Sequence, residues 1–367
     1  MAFNHNTTSS SSDALNIRTS YSGSDISAPE ATTSGGDKKT LYTTSNDITV
    51  KARLTINPAI TLNNVKIAAN VSGWNIGGLS EGTVSFSNGV SSGDSVGGTS
   101  GFVSFSGTNS TASTIKKETA SFQWKLNSID GQSYTSPIDL NSISGITIYT
   151  IWGSPQSPWT STGNTKPWVS ALEFAISNCN ANNNNDTQAL SAITSYLHTG
   201  HGLTYDAAGG GRAFYASSST GGTMALTNYI NKSNGNIVNC YDQASAVYSL
   251  GKLLGIGIEY RFMNPFGYIN TTNLVGVGNC NNPFYPLSTS GLKIAGSDAT
   301  SPVRTGFGNH AFTKFSGNIY DACAGPQTGS QTEATYVNNV IDISTQAEAN
   351  VAGSTSNISS GAVTSIN

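Results

Sequence analysis

The spacing of apolar residues changes once along this chain. Between about residues 39 and 153 they recur at every second position: Ile48, Val50, Ala52, Leu54 and Ile56, then Val65, Ile67, Ala69 and Val71, then Ala120, Phe122, Trp124 and Leu126. Ile146, Ile148 and Trp152 share one side of a further run. A period of two is that of a strand with one buried face. Clusters of Gly, Asn and Ser such as "SNGVSSGDSVGGTSG" separate the runs, so the pattern predicts short antiparallel strands packed as a sandwich.

The segment "GSPQSPWTSTGNTKPW" (153–168) has three prolines and no period, which marks a linker over 154–167. Beyond it the period becomes 3.6. Trp168, Leu172, Ala175 and Ile176 predict one helical face, and Leu190, Ile193 and Leu197 another, with Asp186 as its candidate N-cap. A third helix is expected in "GTMALTNYINKS". A fourth begins near Cys240, carries Ala244, Val247, Gly251 and Leu254 on one face, and stops at Gly255. Alternation then returns at Ile256, Ile258, Tyr260 and Phe262. The expected order is a flexible leader (1–38), a β-sandwich of the immunoglobulin type (39–153), the linker, an α+β domain (168–345), and a polar tail (346–367). Residues 267–305 read as loop.

Charged residues make up only 10% of the chain, and the net charge is −3. No basic excess points to nucleic acid. No stretch approaches the roughly 18 apolar residues of a membrane span. A surface built from Ser, Thr, Asn and Gly is common in secreted bacterial proteins. The start "MAFNHNTTSSSSDALNIRTS" lacks the pattern of a standard signal, so the expectation is export by a non-standard route, with the cytoplasm as the alternative.

The cysteines are Cys179, Cys240, Cys280 and Cys323, with neither a CxxC pair nor zinc spacing. Cys240 on the first turn of its helix is placed where unpaired amides and the helix dipole favour a thiolate. A buried inert thiol is the competing reading for a cysteine taken alone. The partners lie in "TGFGNHAFTKFSGNIYDACAG" (305–325). A two-residue turn at Ser316 and Gly317 would pair Phe315 with Asn318, so that Phe312 faces Asp321 and His310 faces Cys323. His310 and Asp321 are then diagonal neighbours on one face, as the base and orienter of a triad require. A one-residue slip would separate them. For Cys323, a disulfide to Cys280, a buried thiol and a redox latch onto Cys240 all remain open. His198 and His201 read as a helix C-terminal turn and not as metal ligands, and "AAGGGRAF" as a loop without the lysine of a phosphate site. Neither metal nor cofactor is expected.

The segments "NCYDQASAVYSLGKLLGIGIEYRF", "GNHAF" and "NIYDACAG", with "ALSAITSYLHTGHGLTYD" upstream, resemble the transglutaminase-like (papain-like) superfamily over about residues 168–325. Tyr241 and Phe312 stand where that family often has tryptophan. The resemblance implies Cys240 as nucleophile, His310 as general base and acid, and Asp321 as orienter of the imidazole. The oxyanion would be met by the Cys240 amide and a second donor, for which Asn239 and Gln243 are candidates. The expected activity is thioester-forming attack on a protein or peptide amide, as a cysteine peptidase or amidase. The alternatives are a protein-glutamine transglutaminase, which cross-links or deamidates, and a non-catalytic effector whose sandwich binds a cell surface, polysaccharide or partner protein.

Overall fold

The alternating runs of the first half form strands in which every second side chain is buried. The computed structural model describes residues 1–6, 10–33, 35–281, 307–342 and 353–367. They fall into two compact units, Met1–Gly153 with Ser161–Val169, and Ser154–Thr160 with Ser170–Asn367.

In the first unit the strands are β1 (Lys39–Thr43), β2 (Thr49–Arg53), β3 (Leu62–Ser72), β4 (Gly78–Ser87), β5 (Val90–Ser91), β6 (Asp94–Val96), β7 (Thr99–Ser106), β8 (Lys116–Ile129) and β9 (Gln132–Ile151). They make a six-stranded sheet, β1-β9-β8-β3-β4-β5, and a three-stranded sheet, β2-β7-β6. Val50, Ala52 and Phe105 from the smaller sheet share one core with Ile67, Val84, Phe122 and Trp124 from the larger. The rings of Phe105 and Trp124 meet edge to face at 5.0 Å.

The sequence predicts a flexible leader over 1–38, and the structure corrects this. Met1, Ala2, Phe3, Ala14, Ile17, Ile26 and Ala31 are all buried. Phe3 packs on Trp74 and Phe122, and its N–H, with that of Asn4, is bound by the Glu30 carboxylate. The apolar residues of this segment are too sparse to show a period, but each one is used. The expected linker is also divided. Trp159 donates its indole N–H to the Ser249 carbonyl in the second unit at 2.8 Å, whereas Asn164 accepts from Arg18 in the first. Trp168 precedes the first helix and packs on Tyr21.

The second unit has α1 (Val169–Glu173), α2 (Asp186–Ser195), α3 (Leu226–Asn231), α4 (Cys240–Leu253) and α5 (Glu333–Val340). Single π-type turns, Phe174–Asn178 and Tyr196–Gly200, extend α1 and α2. Its strands are β10 (Thr204–Tyr205), β11 (Ala216–Ser218), β12 (Gly221–Met224), β13 (Ile237–Val238), β14 (Glu259–Met263), β15 (Thr272–Leu274), β16 (Gly278–Cys280), β17 (His310–Phe315), β18 (Asn318–Asp321), β19 (Gln327–Thr332) and β20 (Ile358–Ile366). Seven of them form one sheet, β11-β12-β20-β14-β17-β18-β19. The supposed polar tail therefore supplies an interior strand: β20 lies between β12 and β14, with Val363 and Ile366 buried. Its Ser and Thr residues mask a period-two pattern.

Helix α4 packs against β17 and β12. Gly251 lets α4 approach α2 and the chain entering β14, because a Cβ there would lie 3.0 Å from the Leu190 side chain and 3.1 Å from that of Ile258. The loop expected over 267–305 contains the short hairpin β15-β16, and residues 282–306 lie outside the described residues.

Candidate active site

Two local features of the sequence place the site. The first is the start of α4. Asn239 is the N-cap, its side-chain oxygen accepting from the N–H groups of Tyr241 and Asp242, while the Asp242 carboxylate takes the Asn239 N–H. This reciprocal pair satisfies amides that a helix end leaves open. Asp242 is completely buried and also accepts from the N–H groups of Phe214, Tyr215 and Ala216. The first turn of α4 is thereby pinned to the preceding chain. The Cys240 N–H, at the first helical position, has no intrahelical acceptor.

The second feature is the β17-β18 hairpin. Ser316 and Gly317 both have positive φ, +50° and +86°, as the two-residue turn matching strand twist requires. The register is Thr313 to Tyr320, Lys314 to Ile319 and Phe315 to Asn318. Continued along the strands, it brings His310 and Asp321 onto one face, and His310 Nε2 lies 2.8 Å from Asp321 Oδ2.

The pair is dry. His310 and Asp321 are 1% and 2% exposed, and the imidazole is enclosed by the rings of Phe266, Phe307 and Phe312. Burial alone would lower the His310 pKa. The Asp321 charge and hydrogen bond, together with the Cys240 sulfur, outweigh it, and the imidazole is pushed up to about 10. Burial would raise the Asp321 pKa, but His310, the Tyr336 hydroxyl and the Cys323 N–H hold it below the usual carboxylate range. The second ring nitrogen of His310, Nδ1, is buried without a hydrogen-bond partner. The Cys240 thiol interacts with this ring without occupying a well-formed bond on it. Cys240 itself is 3% exposed.

Cys240, His310 and Asp321 are thus brought together, but the two candidate oxyanion side chains are spent elsewhere. Asn239 caps the helix and donates its amide to the Gly211 carbonyl. Gln243 is fully buried, donating to the carbonyls of Leu197 and Ala322 and accepting from the Tyr229 hydroxyl. Both are structural amides, which leaves the Cys240 N–H as the remaining candidate donor.

His198 and His201 also turn out to be structural: His198 Nδ1 bonds the Ala322 carbonyl at 3.0 Å, and His201 Nε2 the Tyr229 carbonyl at 2.9 Å. Among the described residues, no three His, Cys, Asp or Glu side chains gather as a metal site. All four cysteines are buried and none is in a disulfide, so Cys280 and Cys323 are not bridged.

Sequence reasoning missed two contacts. The Tyr241 hydroxyl donates to the Asn309 side chain, and the Tyr336 hydroxyl to Asp321 Oδ2 at 2.6 Å. In "EATYVNNV" the apolar Tyr336, Val337 and Val340 mark a helix with one buried face, but nothing local says what the phenol meets.

No protein-family model matches the sequence, and none of the curated proteins matches it. Among solved structures, the chain is similar to red sea bream transglutaminase at 9% identity and a TM-score of 0.32. That match covers 79% of this chain and 50% of the other. So distant a likeness adds no weight to a functional reading, which has to rest on the residues themselves.

Proposed function

We propose that the second unit is a thiol acyl-transfer enzyme acting on protein or peptide amides, with Cys240 as nucleophile, His310 as base and acid, and Asp321 as orienter. The observation that carries the reading is the buried His310–Asp321 pair whose remaining ring nitrogen has no partner except the nearby Cys240 thiol. A carboxylate on one nitrogen fixes the ring and supports the imidazolium, leaving the other nitrogen to exchange a proton with sulfur.

In this scheme His310 already carries the proton, and the Cys240 sulfur attacks the amide carbonyl as the thiolate of that pair. The Cys240 N–H meets the developing oxyanion. Collapse breaks the C–N bond, His310 returns the proton to the leaving amine, and a thioester remains on Cys240. Water then gives a carboxylic acid, whereas a lysine amine gives a new amide. Hydrolysis is the preferred reading, which makes the chain a cysteine peptidase or amidase. The deciding experiment incubates the chain with casein and a labelled primary amine. Cleavage without label supports hydrolysis, label without cleavage supports transglutaminase activity, and loss of neither activity in Cys240→Ala overturns both.

A binding role for the first unit is favoured by one observation. An open cavity of about 450 Å³, lined by Arg53, Ile67, Phe86, Trp124, Asp139 and Ile143 among others, opens in the sandwich. Under this reading the sandwich delivers the catalytic unit to a surface, polysaccharide or protein. Glycan-array and pull-down signals lost on Arg53→Ala, an exposed residue of the lining, with the fold and thiol chemistry at Cys240 retained, would support it.

A further inference from the structure

Asp321 has more partners than a triad needs. Its Oδ1 accepts from the N–H groups of Cys323 at 2.7 Å and Ala324 at 3.2 Å. Its Oδ2 accepts from His310 Nε2 at 2.8 Å and from the Tyr336 hydroxyl at 2.6 Å. A carboxylate offers about four lone-pair directions, and here each oxygen takes two fixed donors. Two come from the backbone just after Asp321 and so belong to the strand end. The Tyr336 hydroxyl is different, because it arrives from another element and binds the same oxygen as the imidazole.

The placement of that hydroxyl is built into α5. Thr332 caps the helix, its side chain accepting from the Thr335 N–H. Glu333 in the first turn pairs with Arg261 of β14 and Lys314 of β17, which ties α5 to the strand that carries His310. After the helix, the Asp342 N–H reaches the Tyr268 carbonyl. Tyr336 is fully buried, and its ring lies 5.0 Å from that of Phe312, which in turn stacks on His310.

We propose that Tyr336 is a positioning residue of the site: by sharing Asp321 Oδ2 with His310, its hydroxyl holds the carboxylate in the one orientation that serves the imidazole. The proposal rests on the acyl-transfer reading above. Burial and the Asp321 charge push the Tyr336 phenol well above its ordinary range, so the phenol remains the donor and Asp321 the anion. The same bond lowers the Asp321 pKa. Without it the carboxylate would protonate at higher pH and withdraw its support from His310 earlier on acidification.

The test is the rate of Cys240 alkylation by iodoacetamide across pH in the full chain, compared with a free cysteine. Tyr336→Phe keeps the ring and removes the donor. It is expected to slow alkylation at neutral pH about tenfold, since a hydrogen bond to a charged group is worth about one such factor, and to move the acid limb of the profile to higher pH. Val337→Ala, on the same helix, is expected to lower the unfolding temperature and leave the limb in place. Site-specific 3,5-difluorotyrosine at 336, a stronger donor, should move the limb to lower pH, and it carries the decision if Tyr336→Phe does not fold.

A wild-type thiol well above free cysteine in reactivity, with rate and limb unmoved by Tyr336→Phe or by the fluorinated ring, overturns the role of Tyr336 alone. An equal shift in Val337→Ala does the same. A wild-type Cys240 no more reactive than free cysteine overturns the acyl-transfer reading and this role with it.

Discussion

The hydroxyl of Tyr241 donates to the side-chain carbonyl of Asn309. One residue follows the candidate nucleophile and the other precedes the candidate base. A single hydrogen bond therefore ties the first turn of α4 to the start of β17 beside Cys240 and His310. Burial, and then the charge of Cys240, push the Tyr241 phenol up to about 12 against the opposing Asn309 contact, so the bond persists at neutral pH. Because Cys240 is nearly enclosed, loosening this tie should widen access before it costs much stability. Tyr241→Phe and Asn309→Ala are each expected to lose about 1 kcal/mol or less in urea unfolding. Each should raise the rate with N-ethylmaleimide relative to the smaller iodoacetamide. The double variant should gain little over either single one, since both remove the same bond. An unchanged ratio of the two rates in both single variants would show that the tie does not limit access.

The four thiols make a separate prediction. All are buried and none is in a disulfide, and burial raises the pKa of Cys179 and of Cys323. Cys240 stands beside the imidazole of His310. In the native chain, brief iodoacetamide treatment should add one label, on Cys240, and Cys240→Ala should remove it. In denaturant without reductant, four labels should add, and prior reduction should not change the number. A mass that gains two labels only after reduction would establish a disulfide and contradict the structure.

Asn239 was a candidate for oxyanion stabilisation, but its side chain is fully used in capping α4 and holding Gly211. Its substitution should therefore act through the helix. Asn239→Ala is expected to destabilise the chain by about 1 kcal/mol, read from the urea midpoint, and to slow Cys240 alkylation as the first turn loosens. Asn239→Ser restores a capping oxygen without an amide donor, and should recover most of both losses. Recovery of stability without recovery of alkylation or amide turnover would return Asn239 to the chemistry.

What could be read from the sequence, and what could not, follows from how local each cause is. The strands around Val50, Ile67 and Trp124 were legible because alternation is written into consecutive residues. His310 and Asp321 were legible because Ser316 and Gly317 set the turn, and the turn sets the register. The capping role of Asn239 was missed, although in "NCYD" an N-cap residue is followed three positions later by a carboxylate, the spacing of a capping box. Phe3 and β20 are another matter. Phe3 is buried against Trp74 and Phe122, and β20 pairs with β12 and β14 far back in the chain. Their partners are remote in sequence and their own composition is polar, so no local period announces them. Tyr336 is hidden for the same reason, as its function lies in an oxygen 15 residues away across another strand.

The His310–Asp321 pair should also leave a mark on stability as pH changes. His310 is raised to about 10 in the folded chain, above the roughly 6.5 of an unfolded histidine. Between those values the native state holds a proton that the unfolded state has released, so stability falls as pH rises, by up to about 1.4 kcal/mol per unit. The contribution is complete below about pH 6.5 and gone above about 10. Asp321 is lowered and works in the opposite sense, its contribution present above the ordinary aspartate range and lost on acidification. Urea unfolding from pH 6 to 10 should show the decline in the wild type and a flatter profile in His310→Gln, which keeps a polar group but cannot hold the charge. The same variant should lose roughly 10²- to 10⁴-fold in amide turnover, the usual worth of a general base. Asp321→Ala should be the harsher change, because it leaves the Tyr336 hydroxyl and the Cys323 and Ala324 amides buried without an acceptor, at about 1–3 kcal/mol for each. Parallel wild-type and His310→Gln profiles over that pH range would mean that His310 does not carry a proton in the folded state, and that Asp321 binds a neutral ring.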